Sequence, residues 1–150
     1  MEKKTKDICI NRKAYHDYFI EETFEAGMVL QGTEIKSLRN GKASIKEAYV
    51  SFTNGEAYLK EMNISQYEHG TYNNHDEKRE RKLLLHKSEI TKLSSKAKVQ
   101  GYTVIPLKVY LKEGRAKVEI ALAKGKTNYD KRESDKIKAM KLEAARAMKR

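Results

Sequence analysis

The segment EKRERKLLLHK, residues 77–87, combines basic side chains with three consecutive leucines. Its basic residues are Lys78, Arg79, Arg81, Lys82 and Lys87. Lysine and arginine bind phosphate oxygens, and an apolar side chain can anchor the segment to a core or contact an unstacked base. The pattern fits a phosphate-contacting ridge and, equally, a strand with one solvated face. The nine tyrosines of the chain favour the first interpretation weakly, because tyrosine rings stack on bases.

Catalytic and metal chemistry have little support in the sequence. The four histidines are not spaced as zinc ligands, either with one another or with Cys9, the one cysteine. His16-Asp17 and His75-Asp76 pair an imidazole with a carboxylate, but adjacent residues usually point apart and nothing supplies a nucleophile. No P-loop, HExxH or GxSxG sequence is present. We expect no catalytic residue, metal or cofactor, and histidines that act as caps or are solvated.

The segment after the last predicted strand carries more than half of the net charge. Residues 124–150 hold ten basic and four acidic residues, against a net charge of +11 for the whole chain. The segment could be a solvated terminus, a helix on an anionic membrane, or a helix that forms on a polyanion. One side of such a helix would carry Ile137, Met140, Ala144 and Met148. Because this side lacks Trp and Phe, and short isolated helices are marginal in water, we favour folding on RNA.

Length and composition limit the possible classes of protein. A chain of 150 residues fits one domain with appendages, which we place at residues 1–123 (barrel) and 124–150 (basic tail). The pI near 9.6 points to nucleic acid, an anionic membrane or an acidic partner. One cysteine favours a reducing cytosol, and no apolar window approaches the ~18 residues of a membrane span. We expect a soluble, cytoplasmic monomer with no membrane contact.

The first third of the chain predicts two short helices and a strand. Asn11 is a suitable N-cap for a helix, and from Ile20 the apolar residues alternate as in a half-buried strand. GTEIKSLRNGK then predicts one or two helical turns, with Thr33 as the cap and with Lys36 and Arg39 exposed.

The middle of the chain predicts a hairpin, a loop and a helix. Asn54-Gly55 supplies the positive φ angles of a two-residue turn between two alternating strands. Residues 68–81 lack apolar periodicity and predict an exposed loop with a basic end. RKLLLHKSEITKLSSKAK predicts an extended stretch and then a helix capped by Ser88.

The last regular segment predicts two long strands joined at Glu113-Gly114. Apolar residues alternate from Thr103 to Leu111 and from Ala116 to Leu122. Pro106 interrupts the first strand and predicts an edge position or a bulge.

About six short strands and two to three short helices indicate a mainly β (α+β) fold. The simplest arrangement is a closed antiparallel barrel of OB type, since closure removes exposed strand edges. We expect the basic tail to be disordered when free and helical when bound.

Three segments resemble the SsrA-binding protein family, the transfer-messenger-RNA-binding proteins of bacterial trans-translation. They are NRKAYHDYFIEETFEAGMVLQGTEIKSLRNGKA, NHDEKRERKLLLHKSEI and ALAKGKTNYDKRE. The resemblance implies an OB-type barrel, no enzymatic activity, and binding to the tRNA-like domain of transfer-messenger RNA. It implies RNA-binding roles for Asn11, Glu25, Leu84 and Lys117. Lys36, Arg39 and Lys82 complete the predicted RNA-binding set as basic neighbours.

The resemblance also implies that the tail enters the empty message channel and becomes helical there, near small-subunit rRNA of the decoding centre. The matching tail residues are Lys124, Gly125, Lys126, Tyr129, Asp130, Lys131 and Arg132. Further partners implied through the shared RNA are elongation factor Tu and alanyl-tRNA synthetase. The family often has Pro where this chain has Glu77, and Lys where it has Thr127. Without the resemblance, fold and charge would equally suit a general structured-RNA or ribosome-assembly module, and an RNA hydrolase is a third hypothesis.

Overall fold

The computed structural model describes residues 5–67 and 74–127. Its elements in chain order are β1 (Thr5–Ile10), α1 (Arg12–Asp17), β2 (Tyr18–Met28), α2 (Gly32–Arg39), β3 (Ala43–Ser44), β4 (Tyr49–Thr53), β5 (Glu56–Lys60), β6 (Asn63–Ile64), β7 (Arg81–Leu84), α3 (Lys87–Ala97), β8 (Tyr102–Lys112) and β9 (Arg115–Gly125). Among these residues, no helix is both long and apolar enough to cross a bilayer.

Seven strands form one antiparallel sheet in the order β1-β8-β9-β2-β7-β5-β4, and β3 pairs with β6 separately. The sheet curls so that β4 packs against β8, although the described residues show no ladder joining the two ends of the sheet. This arrangement confirms the mainly β class and is consistent with an OB-type fold. The sequence prediction of about six strands missed β1, because TKDICI is half polar and shows no clear alternation.

A bulge in β8 divides its apolar residues between two clusters. The register of β8 against β9 shifts between Pro106 and Lys108. Val104 and Val109 therefore pack in the main core, whereas Ile105 and Leu107 join a smaller cluster with α1. The predicted bulge at Pro106 is confirmed. The bulge is thus the alternative that holds, and the edge position is not, since β8 lies between β1 and β9. The predicted single alternating face from Thr103 to Leu111 is wrong, because the bulge divides it.

The two predicted tight turns are present. Asn54 and Gly55 join β4 to β5 with φ angles of 52° and 75°, and Glu113 and Gly114 join β8 to β9 with 52° and 80°. Positive φ at both central residues matches the right-handed twist of the paired strands.

The three helices begin in two ways: α1 begins after a capping asparagine, and α2 and α3 begin at capping boxes that a glutamate completes. Asn11 caps α1 as predicted, since its Oδ1 accepts from the Ala14 backbone N–H at 3.3 Å. Glu34 accepts from the Gln31 N–H at 2.8 Å and Glu89 from the His86 N–H at 2.9 Å. The predicted caps Thr33 and Ser88 are therefore wrong by two residues, because in each case a glutamate at the third helical position completes a capping box.

The prediction of an exposed loop over residues 68–81 is wrong at its last residue, because Arg81 is the first residue of β7 and is buried. Arg81 is fully buried and donates from Nε to Glu34 Oε2 at 2.6 Å and from a terminal nitrogen to the Met62 carbonyl at 2.6 Å. Arg79 donates to the other Glu34 oxygen at 2.5 Å. Burial acts to raise the pKa of Glu34, but the hydrogen bonds from Arg79, from the Gln31 backbone and from Arg81 hold that pKa below its ordinary value. This cluster joins α2 to β7.

His75 is also buried, contrary to the expectation of a solvated or capping histidine. Its Nδ1 lies 2.9 Å from the Thr33 hydroxyl, and its Nε2 lies 2.8 Å from the Ile64 carbonyl oxygen. Two buried polar residues, His75 and Arg81, thus tie the segment leading into β7 to α2 and β6.

Candidate nucleic-acid interface

The outward face of the sheet places three distant segments side by side. In the ladder of β2, Gly27 is the register partner of Lys117 in β9 and of Leu84 in β7. Register partners lie on the same face of a sheet. A Cβ atom on Gly27 would be 3.4 Å from Leu84 Cδ1 and 3.7 Å from the ammonium nitrogen of Lys117, so glycine leaves an open floor between these two side chains.

A groove of about 410 Å³ lies over this floor. Its lining includes Glu25, Lys82, Leu84 and Lys117, which are four of the seven residues predicted to bind RNA. Leu84 is 55% exposed and leaves an apolar surface available for a base. The groove thus combines cations, a carboxylate and an apolar platform.

Glu25 is held in place by two neighbours on β8. The Tyr110 hydroxyl donates to Glu25 Oε2, and Lys112 Nζ lies 3.3 Å from the same oxygen. The hydrogen bond from Tyr110 is the largest cause that lowers the pKa of Glu25, and Lys112 and Lys117 lower it further. Glu25 therefore presents an ionised acceptor at neutral pH, and its side chain is 41% exposed, so a ligand can reach it.

Tyr110 is the buried support of this carboxylate. Burial and the neighbouring Glu25 carboxylate raise the pKa of Tyr110, so its hydroxyl remains a hydrogen-bond donor at physiological pH. The ammonium group of Lys108 lies 5.4 Å from the centroid of the ring. The sequence alone assigns no role to Tyr110.

Lys82 occupies the other side of the groove. Its Nζ lies 3.5 Å from Glu56 Oε2, and both side chains are more than 40% exposed. An exposed pair of this kind contributes about 0–1 kcal/mol, so a phosphate can compete for the lysine at low cost.

Three predicted residues lie outside the groove. Asn11 is only 7% exposed, and its amide nitrogen donates to the Pro106 carbonyl at 3.2 Å, so its side chain fixes α1 against β8. Lys36 and Arg39 are exposed on α2; the Lys36 ammonium lies 5.4 Å from the Tyr67 ring centroid, and the Arg39 carbonyl accepts from Lys6. Their contact with RNA stays a prediction.

Sequence reasoning missed Gly27 and Tyr110 as parts of the site. A glycine inside a predicted strand signals close approach of another group, and that signal was available in the EAG segment. Tyr110 could not be assigned, because its contact with Glu25 joins residues 85 positions apart in sequence.

The predicted tail begins inside the last strand. Lys124 and Gly125 are the final residues of β9 and pair with Phe19 and Tyr18 of β2. The Lys126 backbone N–H donates to the Asp17 carbonyl at 2.8 Å. Tyr129, Asp130, Lys131 and Arg132 lie outside the described residues, as do the predicted disorder and helix of the tail.

Lysines and aromatic rings meet where the described chain leaves β9. The Lys126 ammonium is 5.1 Å from the Phe19 ring centroid, and the Lys124 ammonium is 5.9 Å from that of Tyr102. Cation–π contacts at these distances stabilise by roughly 0.5–1 kcal/mol each at exposed sites. The start of the tail is therefore fixed to the barrel as far as Lys126.

No group of three or more metal-ligating side chains occurs in residues 5–67 and 74–127. Cys9 lies in β1, and burial raises the pKa of its thiol to about 11, so it behaves as a small apolar residue at neutral pH.

Comparison with known proteins places these features in context. The family model described as SmpB protein matches residues 8–150. The SsrA-binding protein of Geotalea uraniireducens (strain Rf4) is 59% identical over 144 residues, which is 96% of this chain and 95% of that protein. That of Clostridium novyi (strain NT) is 56% identical over 148 residues, 99% of this chain and 94% of that protein.

A solved structure is also similar. A chain of "tmRNA-SmpB: a journey to the center of the bacterial ribosome" is 48% identical, with a TM-score of 0.68 over 83% of this chain and 92% of that chain. The family resemblance inferred from the three sequence segments is confirmed.

Proposed function

The chain belongs to the SmpB protein family, and from this premise we propose that it is the RNA-binding factor of trans-translation. It binds transfer-messenger RNA and acts with it on the ribosome, both of which are named in the description of the similar solved structure. The observation that carries the proposal is the groove, because strand pairing brings together Glu25, Leu84 and Lys117, which are far apart in sequence and to which the family resemblance gives RNA-binding roles.

The finer proposal is that the groove binds the tRNA-like domain of this RNA. Lys117 and Lys82 neutralise phosphates, Leu84 packs on an unstacked base, and Glu25 accepts hydrogen bonds from base or ribose groups. Asn11 supports binding through the position of α1, and Lys36 and Arg39 add phosphate contacts from α2.

The tail completes the proposed function on stalled ribosomes that lack a stop codon. The tail begins with Lys124, Gly125 and Lys126 at the end of β9, and beyond them it enters the vacant message channel near small-subunit rRNA, where it substitutes for the missing message. Elongation factor Tu and alanyl-tRNA synthetase meet the protein through the shared RNA. The factor works in the cytoplasm, as a monomer, without a membrane partner, metal or cofactor, and without catalysing a reaction of its own.

Competition binding tests the proposal. The full chain is titrated at fixed salt with the tRNA-like domain and with an unrelated hairpin of the same length. We expect the tRNA-like domain to bind at least about tenfold more tightly, and Lys117→Ala to reduce that preference. Arg115→Ala is the matched control, since Arg115 is exposed two residues earlier in β9 and does not line the groove.

Equal affinities for the two RNAs would refute the proposal. They would favour the alternative, a general structured-RNA or ribosome-assembly module, which the fold and the net charge alone equally permit.

A further inference from the structure

Among the described carboxylates that line the groove, Glu25 is the one that a buried side chain holds in position, since it accepts from the Tyr110 hydroxyl. Glu89 accepts from the His86 backbone N–H at the start of α3, and Glu56 makes an exposed 3.5 Å pair with Lys82 that does not fix its position. Glu25 Oε1 has only a 3.4 Å contact with Lys112, while Tyr110 and Lys112 hold Oε2. Two carboxylate oxygens provide about four acceptor positions, two on each, so Tyr110 and Lys112 occupy both positions of Oε2 and one position stays open on Oε1. The 3.3 Å contact of Lys112 with Oε2 is a long hydrogen bond, and a donor of the ligand that replaces it opens the second position.

The acceptor is preorganised rather than mobile. Tyr110 is mostly buried, and its register partner across the ladder is Lys117, which lines the groove. A carboxylate fixed by a buried hydroxyl loses little side-chain entropy on binding, and its hydrogen bonds to uncharged donors are charge-assisted. Glu25 is therefore suited to selecting a ligand by the hydrogen-bond donors that the ligand presents.

The base edges of RNA differ in the donors that they offer to a carboxylate. Guanine places two neighbouring N–H donors, N1–H and N2–H, on its Watson–Crick edge. Adenine and cytosine each place one amino donor beside an unprotonated ring nitrogen, and uracil flanks its single N–H with two carbonyl oxygens. When one carboxylate oxygen accepts from a donor on the Watson–Crick edge, the other oxygen faces a second N–H in guanine but a lone pair in adenine, cytosine and uracil. A site that needs two donors therefore discriminates strongly against these three bases.

The rest of the groove fits a base that has left its stack. Leu84 offers an apolar surface for a base face, and Gly27 keeps the floor clear beside it. Lys117 and Lys82 lie on either side of this floor, where the phosphates that flank an extruded nucleotide can reach them. The volume of about 410 Å³ lies within the ~300–1,000 Å³ of small-molecule sites.

We propose that the groove is a guanine-selective subsite, in which one unpaired guanine of the bound RNA donates from N1–H and N2–H to the two carboxylate oxygens of Glu25. Tyr110 is a positioning residue that acts through Glu25. This inference rests on the proposed function, because it names the base that the tRNA-like domain presents to the groove.

Chemical probing of the complex tests the subsite. A glyoxal-type reagent such as kethoxal reacts with N1 and N2 of unpaired guanines and thus reports the edge that Glu25 should cover. With the full chain at saturating concentration on the tRNA-like domain, we expect one unpaired guanine to be protected. Glu25→Gln should restore its reactivity while the complex persists, since an amide presents one donor and one acceptor in place of two acceptors.

The matched control is Glu119→Gln. Glu119 is the register partner of Glu25 on β9, so it is a carboxylate of the same face, but it does not line the groove. We expect its substitution to leave the guanine protected. Full protection in the Glu25→Gln complex, or no protected guanine with the unchanged protein, would overturn the inference.

Inosine provides the quantitative arm, because it keeps N1–H and lacks the 2-amino group. Replacing the protected guanosine by inosine should weaken binding of the unchanged protein about tenfold. The same replacement should have little effect on Glu25→Gln and a reduced effect on Tyr110→Phe. Equal effects in all three proteins would contradict the inference. Failure of the tRNA-like domain to bind better than the unrelated hairpin would instead refute the proposed function.

Discussion

At the scale of single residues, Gly27 determines how deeply a ligand can enter the groove. Its backbone lies between Leu84 and Lys117, and a Cβ atom there would make ordinary van der Waals contacts of 3.4 Å and 3.7 Å with their side chains. An added methyl group therefore fits the free protein and occupies space that an RNA base would need. If the groove binds RNA as proposed, the absence of a side chain at Gly27 keeps this space open for the base.

We expect Gly27→Ala to keep the melting temperature within a few degrees and to weaken binding of the tRNA-like domain about tenfold or more. Thermal unfolding and fluorescence anisotropy measure the two effects. Gly32→Ala is the control, since nothing lies within 4 Å of a Cβ at that helical position. Unchanged affinity in Gly27→Ala would show that RNA does not approach this part of the sheet.

The ionisation of Glu25 gives a second prediction at this scale. Its pKa in the folded protein is lowered, first by the Tyr110 hydrogen bond. A lowered folded-state pKa stabilises the fold at pH values above the unfolded-state pKa, and this contribution is lost as the pH falls through the folded-state pKa. Because the side chain is 41% exposed, we expect the effect on stability to be small.

NMR titration of the Glu25 side-chain carboxyl carbon measures this pKa directly. We expect a value below the ordinary 4.5 in the unchanged protein and a higher value in Tyr110→Phe, which removes only the hydroxyl. Tyr102→Phe should leave it unchanged, because the Tyr102 hydroxyl donates to Glu21 instead. Identical Glu25 titrations in the unchanged protein and Tyr110→Phe would rule out positioning by Tyr110.

At the scale of elements, the Glu34 cluster connects the groove to the core. Glu34 and Arg81 are both fully buried, and the arginine belongs to β7, the strand that also carries Lys82 and Leu84. Removing one member of a buried ion pair leaves an unpaired charge and costs about 3–5 kcal/mol. The cluster thus fixes β7, and a single substitution in it destabilises the fold strongly.

We expect Glu34→Ala to reduce the free energy of unfolding by about 3–5 kcal/mol in urea titrations. Glu56→Ala, which breaks the exposed pair with Lys82, should cost at most about 1 kcal/mol. The double variant Glu34→Leu with Arg81→Met should be less destabilised than Glu34→Ala, since it leaves no buried charge at Arg81. Equal losses for Glu34→Ala and Glu56→Ala would contradict the structural role of the cluster.

Elements with strong local signals could be predicted from the sequence, and contacts across elements could not. Asn11 and Asn54-Gly55 act through their immediate neighbours, so residue type is sufficient to identify the cap and the turn. Arg81 and Glu34 are 47 positions apart, and nothing local distinguishes this arginine from its exposed neighbours. The groove likewise depends on strand order, which places β2 between β9 and β7.

At the scale of the whole molecule, the groove and the start of the tail lie at opposite ends of the same pair of strands, β2 and β9. The β2–β9 ladder runs from Gly27 and Lys117, beside the groove, to Tyr18 and Gly125, where the described chain leaves β9. The nine residue-to-residue steps from Tyr18 to Gly27, at ~3.3 Å each, place these two ends about 30 Å apart. The distance exceeds the ~8 Å Debye length at physiological salt several-fold, so charges at one end act weakly at the other.

This separation allows the tail to be removed without disturbing the groove, provided that the cut lies beyond Lys126. Lys124 and Gly125 are paired in β9, and the Lys126 N–H donates to Asp17, so truncation at residue 123 would also cut the ladder. A chain ending at Thr127 loses eight basic and four acidic residues and keeps these contacts. We expect its affinity for the tRNA-like domain to change less than about tenfold at physiological salt.

The same truncation should reduce peptide tagging on stalled ribosomes to background, because the groove alone cannot fill an empty message channel. A full-length chain with residues 134–150 permuted tests whether charge or order matters in the tail. The permuted tail keeps its composition and loses the stripe of Ile137, Met140, Ala144 and Met148. If the stripe forms one face of a bound helix, this variant should also fail to tag while binding the RNA normally. Tagging by the permuted chain would reduce the role of these residues to their charge, and tagging by the truncated chain would place the whole function in the barrel.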